Sequence, residues 1–149
     1  MARFVFRLQS FLNLKEQLEK NVKNELGVAN QKLQQEKIKL RRIKEDIDTY
    51  SDKFRSACTG SIEPEKIKEL KIYLEHLYNN EQKQKLNVKR EQQNVDKIRE
   101  KLISIMRDKK VLENLREKNF QEFLSELEKG EQLLADELVS YKEATREKA

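Results

Sequence analysis

The sequence predicts an all-α protein: two long helices in an antiparallel coiled-coil hairpin, with a C-terminal helical overhang. Three observations predict it. Charged residues make up 40% of the 149-residue chain and the apolar set only 36%, against roughly 25% and 45–50% in globular chains, so material for a broad core is lacking. Apolar residues recur at gaps of three, four and seven, which is the narrow seam of a coiled coil and not the wider face of a helix lying on a globular core. The only proline, Pro64, and one of the three glycines, Gly60, fall four residues apart near the middle of the chain. One domain, 1–149, is expected: a helix over 3–57, a turn over 58–63 and a helix over 64–145, unpaired beyond about 118.

The first helix is predicted by Phe4, Leu8, Phe11, Leu18, Val22, Leu26, Ala29, Leu33, Leu40, Ile43, Ile47, Tyr50, Phe54 and Ala57. Two consecutive gaps of four, Leu18 to Val22 to Leu26, read as a stutter that locally unwinds a supercoil. The second helix resumes the seam with Ile67, Leu70, Leu74, Leu77, Val88, Val95, Ile98, Leu102, Ile105 and Leu112, and the missing heptad positions hold Glu81, Gln84, Glu91 and Lys109.

Between them, Gly60 suits the left-handed position that ends a helix, and Ser61 or Glu63 can cap the next one. Pro64 is tolerated in a first turn, where its absent N–H is not missed. Glu63, Glu65 and Glu69 bring negative charge to the positive end of the second helix. So short a connection makes the arms antiparallel neighbours.

With the turn centred near Gly60, facing positions sum to about 120, which sets Leu33 against Val88 and Leu18 against Leu102. Glu36 then falls opposite Gln84 with Lys85 beside it, and Glu81 opposite Leu40 with Lys39 beside it. The first helix runs out near Arg3, opposite Glu117, so roughly the last 30 residues, about 45 Å of helix, have no partner in the chain. That stretch still carries Phe120, Phe123, Leu124, Leu127, Leu134 and Leu138. An apolar stripe of this kind requires an external partner. Charge divides at the same boundary: basic residues outnumber acidic ones 28 to 19 over 1–118, and acidic outnumber basic 8 to 4 over 119–149.

Catalytic and metal-binding readings find no support. The one histidine, His76, sits on a helix face expected to be exposed, with no clustered His or Cys ligands nearby. Gly27, Gly60 and Gly130 are too far apart to form a phosphate loop. No cofactor is expected. The lone Cys58 fits a reducing cytosol. The opening MARFVFRLQSFLNLKEQLEK is interrupted by Arg3, Arg7 and Lys15 and has no cleavage site, so it is not expected to be a secretory signal. No run reaches the roughly 18 apolar residues of a membrane span. The basic residues are interleaved with acids, as in Lys39, Arg41, Arg42 and Lys44 followed by Glu45, Asp46 and Asp48, which reads as a solvated face and not as a nucleic-acid motif. Near the bend, Tyr50, Phe54, Tyr73, Leu77 and Tyr78 are more rings and branches than two helices can enclose. Some belong to the seam, and the remaining tyrosines form a docking patch.

Several segments, in order, resemble the FliJ family of flagellar export stalk proteins. They are RFVFRLQSFLNLKEQLEKNVKNEL at the start, YLEHLYNNEQ in mid-chain and KKVLENLREKNFQEFLSELEKGEQLLADEL near the end. In the last, Glu131, Gln132, Asp136 and Glu137 fit the family pattern, and Leu133 stands where a lysine is common. The resemblance implies a non-enzymatic antiparallel hairpin, similar to the γ stalk of rotary ATP synthases. Its implied partners are the hexameric export ATPase FliI, the membrane export gate FlhA and export chaperones, and its implied place is the cytoplasm, peripheral at the cell membrane. By that analogy Phe4, Leu8, Phe11, Phe120, Phe123, Leu127, Glu131, Gln132, Leu134, Asp136, Glu137 and Leu138 would enter the ATPase ring. Tyr50, Phe54, Tyr73 and Leu77 would face the gate. The stalk of a virulence-type secretion system and a dimeric coiled-coil scaffold are the other readings.

Overall fold

Between Gln9 and Ala57 the chain has no proline and one glycine, and from Pro64 to Glu147 only Gly130 interrupts a run of good helix formers. In the computed structural model, which describes residues 2–147, these stretches are the helices α1 (Gln9–Ala57) and α2 (Pro64–Glu147). The fold is all-α, two long helices packed against each other.

The chain divides into two units. One comprises residues up to Glu19 together with those from Ser104 onward, and the other comprises Lys20–Ile103. In the Lys20–Ile103 unit, α1 ends where the Cys58 N–H donates to the carbonyls of Phe54 and Arg55, each at 3.1 Å, and Thr59 N and Oγ1 both donate to Ser56 O. Gly60 follows at φ 79°, a conformation that costs a side-chain-bearing residue about 1–2 kcal/mol. Pro64 opens α2, and Ile67 N donates to Glu63 O at 3.2 Å, so Glu63 is the cap.

The core of this unit is Ala29, Leu33 and Val95, the last wholly buried, flanked by Leu26, Val88 and Ile98. Leu33 and Val88 therefore share one cluster, as the alignment about Gly60 requires. Each polar seam residue has a polar neighbour. Gln84 Nε2 donates to the Glu36 carbonyl oxygen at 2.9 Å and to the Glu36 carboxylate, and Lys32 reaches Glu91 at 3.3 Å. The Gln84 amide holds the Glu36 carboxyl below the ordinary carboxylate range, aided by Lys39 and opposed by partial burial. The lysines differ from expectation. Lys39 pairs with Glu36 and Lys85 with Glu81, each on its own helix, because an i,i+3 or i,i+4 partner is nearer than one across the seam.

Three expectations about the first helix are corrected. The first helix does not begin at Arg3, because residues 2–8 are non-helical and α1 starts at Gln9 after a turn closed by Gln9 N and Phe6 O at 3.1 Å. Phe4 and Phe6 are two residues apart, so an extended segment turns both toward α2, whereas a helix would point them to different sides. Phe6 and Leu12, buried with Leu112, take the seam places given to Leu8 and Phe11, which are 40% and 47% exposed. The stutter is absent too. Glu19 is buried while Leu18 is half-buried, so inward positions follow Leu12, Lys15, Glu19, Val22, Leu26 and Ala29 at regular threes and fours. A charge occupies a seam site because Lys109, itself a seam residue of α2, donates to Glu19 Oε2 at 2.9 Å.

Candidate interaction surfaces

Two surfaces contain the residues singled out from sequence. The first lies in the unit of the chain ends. The Phe4 ring packs edge-on to Phe120 at 5.2 Å and tilted on Phe123 at 5.6 Å, distances at which ring quadrupoles attract. Arg116 covers Phe4 at 5.7 Å and is fixed by its Nε donating to Gln9 Oε1 at 3.1 Å. The N-terminal segment thus extends the pairing past 118, and Leu127 is the last half-buried residue of α2. From Glu128 to Glu147 every residue is exposed. Leu134, Leu138 and Tyr141, each at least 60% exposed, continue the stripe of Phe120, Phe123 and Leu127 at helical spacing. Glu131, Gln132, Asp136 and Glu137 lie exposed among them.

The second surface belongs to the Lys20–Ile103 unit. Tyr50 and Tyr73 stack at 4.4 Å with their planes 55° apart, and Lys53 Nζ lies 4.5 Å from the Tyr50 ring centre. Desolvation, with the Tyr50 phenol and the Asp46 carboxylate adding to it, pushes the Tyr73 phenol above the ordinary tyrosine range. A cleft of about 750 Å³ adjoins the pair, with Tyr50, Ala57 and Leu70 in its wall and Lys53, Lys66, Asp52 and Glu63 about it. Tyr78 is exposed and Phe54 half-buried. Leu77 is 5% exposed, so it belongs to the buried seam and presents no surface of its own. His76 is exposed and bonds Asn80 at 3.2 Å. Among the described residues no three His, Cys, Asp or Glu side chains cluster as a metal would need, and no helix is long and apolar enough to cross a membrane.

Residues 4–148 match the family described as flagellar FliJ protein. The chain belongs to the FliJ family. No curated protein and no solved structure matches it. FliJ-family membership makes it a flagellar export-related protein of a non-catalytic family.

Of the twelve residues assigned to ring entry in this FliJ-family chain, Phe4, Phe120 and Phe123 meet in one ring cluster, and Leu127 adjoins it on the same stripe. Glu131, Gln132, Leu134, Asp136, Glu137 and Leu138 lie beyond it on the exposed part of α2. Leu8 and Phe11 point away from the seam, with Lys15 over the Phe11 ring at 5.3 Å. Sequence reasoning missed Phe6, Leu12 and Arg116. The signal for Phe6 was present in ARFVFR, where Phe4 and Phe6 fall two residues apart and Arg3, Val5 and Arg7 take the alternate positions. Nothing comparable marked Arg116.

Proposed function

We propose that this FliJ-family chain is a non-enzymatic coupling component of the flagellar export apparatus, working at the cytoplasmic face of the membrane. The exposed end of α2, with the Phe4–Phe120–Phe123 cluster at its base, engages the hexameric export ATPase. The tyrosine pair and its cleft engage the export gate, and export chaperones are further clients. The observation that carries this reading is the run from Glu128 to Glu147, helical yet exposed throughout, with Leu134, Leu138 and Tyr141 aligned on one side. Such a helix satisfies its own backbone, and its side chains are left for another protein.

The test keeps the chain whole. Leu138→Glu combined with Tyr141→Glu alters only exposed positions, so helicity by circular dichroism stays at the wild-type level. Stimulation of the cognate export ATPase falls, and binding to it weakens about tenfold or more. Undiminished stimulation refutes the ring assignment. For the second surface, Tyr50→Ala with Tyr73→Ala removes the stacked rings and lowers affinity for the cytoplasmic part of the gate protein about tenfold. Equal affinity in a calorimetric titration eliminates that surface.

A further inference from the structure

Gly130 lies within an exposed stretch of α2, where glycine weakens a helix. Its backbone is ordinary, since Gly60 alone among the described glycines has a positive φ. Packing does not require it either, because a Cβ built at Gly130 meets nothing within 4 Å. Neither conformation nor contact inside the chain asks for glycine here.

What Gly130 does provide is a hollow. Ala2, Phe123, Leu127 and Leu134 give this open depression of about 340 Å³ an apolar lining, and Glu126 and Glu131 complete its wall. That volume accommodates one large side chain. Neither glutamate has an ion-pair partner among the described residues. Their surroundings are acidic: from Glu122 to Glu137 the helix carries Glu122, Glu126, Glu128, Glu131, Asp136 and Glu137 against the single cation Lys129. A surface of this sign attracts a cationic partner and repels a second copy of itself.

We infer that the hollow at Gly130 seats a bulky apolar side chain borne between lysine or arginine residues on the protein that sheathes α2. The apolar lining takes the side chain, Gly130 lets its backbone come close, and Glu126 and Glu131 receive the flanking cations. This rests on the assignment of α2 to the export ATPase and adds the chemistry of the contact.

The probe is the cognate hexameric export ATPase, titrated calorimetrically with full-length variants at low and high salt. Gly130→Leu fills the hollow while raising helicity and the melting temperature. Affinity nevertheless drops about tenfold. Glu126→Lys with Glu131→Lys weakens binding about tenfold at low salt, and the loss shrinks at high salt as screening removes the attraction. A purely structural role for Gly130 predicts the opposite for Gly130→Leu, namely a firmer helix with equal or tighter binding, and that result overturns the inference. Should Leu138→Glu with Tyr141→Glu abolish binding while the Gly130 and glutamate variants bind like wild type, the hollow is discarded and the ring assignment stands. Should all variants bind like wild type, both fail. Self-association of the wild type, removed by Gly130→Leu in light scattering, would make the occupant a second copy and refute the cationic one.

Discussion

Replacing Val95 with aspartate lowers the stability of the Lys20–Ile103 unit by about 4 kcal/mol, measured by urea unfolding followed at 222 nm. Val95 has no exposed surface and packs between Ala29 and Leu33, with Leu26, Val88 and Ile98 around them. A carboxylate there has no cation in the cluster to meet, and a two-helix seam offers no deeper layer into which the charge can turn. Val95→Ala, which only deletes methyl groups, costs about 2 kcal/mol. Aspartate substituted for Val28, the outward neighbour of Ala29, changes stability by less than about 0.5 kcal/mol. Equal effects at Val95 and Val28 would mean that the seam is not where the burial pattern places it.

The next largest effect concerns the charged pair in the other unit. Glu19→Leu leaves the Lys109 ammonium with only the longer 3.7 Å contact to Glu113 and lowers the melting temperature by about 5 °C. Lys109→Leu does comparable harm by taking the ammonium away from the buried Glu19 carboxylate. The double variant Glu19→Leu, Lys109→Leu melts at or above the wild type, because two leucines at facing seam positions replace a buried carboxylate and a partly exposed ammonium. The pair also has a pH signature. The Glu19 carboxylate, with smaller help from Glu113 and Glu16, raises the Lys109 pKa above the ordinary lysine value of about 10.4. A raised value means that the native state holds the proton more tightly, so the stabilisation is complete below the unfolded pKa and is lost as pH rises through the folded one. The wild type therefore destabilises in that alkaline window, and the double variant does not. Melting curves between pH 9 and 11.5 decide the matter.

The helical seam was legible because its period survives polar substitution. Glu81, Gln84, Glu91 and Lys109 were recognised as heptad positions from spacing alone, and each lies inward with a polar neighbour. Gly60 and Pro64 located the bend because each has a backbone requirement that few other positions satisfy. What stayed hidden was any place where side-chain chemistry overrode hydrophobicity. Glu19 was passed over for Leu18, since a scale that ranks leucine above glutamate cannot anticipate Lys109 arriving opposite. The start was read as helix because Phe4, Leu8 and Phe11 also fit a helical spacing, and ARFVFR carries two periods at once. Packing of Phe6 on Leu12 and Leu112 selects the extended one. For the interaction surfaces, sequence gave the composition of the stripe and the tyrosine patch. It could not say that Leu77 lies buried, or that the N-terminal segment reaches as far as Phe123 and so delays the exposed stripe until after Leu127.

The contact between Phe4 and Phe120 has a bearing on biogenesis. Its two rings are 116 residues apart in the chain, whereas Tyr50 and Tyr73, 23 apart, flank the bend. A ribosome adding about 5–20 residues per second delivers Phe120 on the order of ten seconds after Phe4. Throughout that interval the amino-terminal phenylalanines emerge with no native counterpart, while the bend already possesses both of its sides. The Phe4 contact also closes the longer loop and carries the larger loop-closure entropy cost.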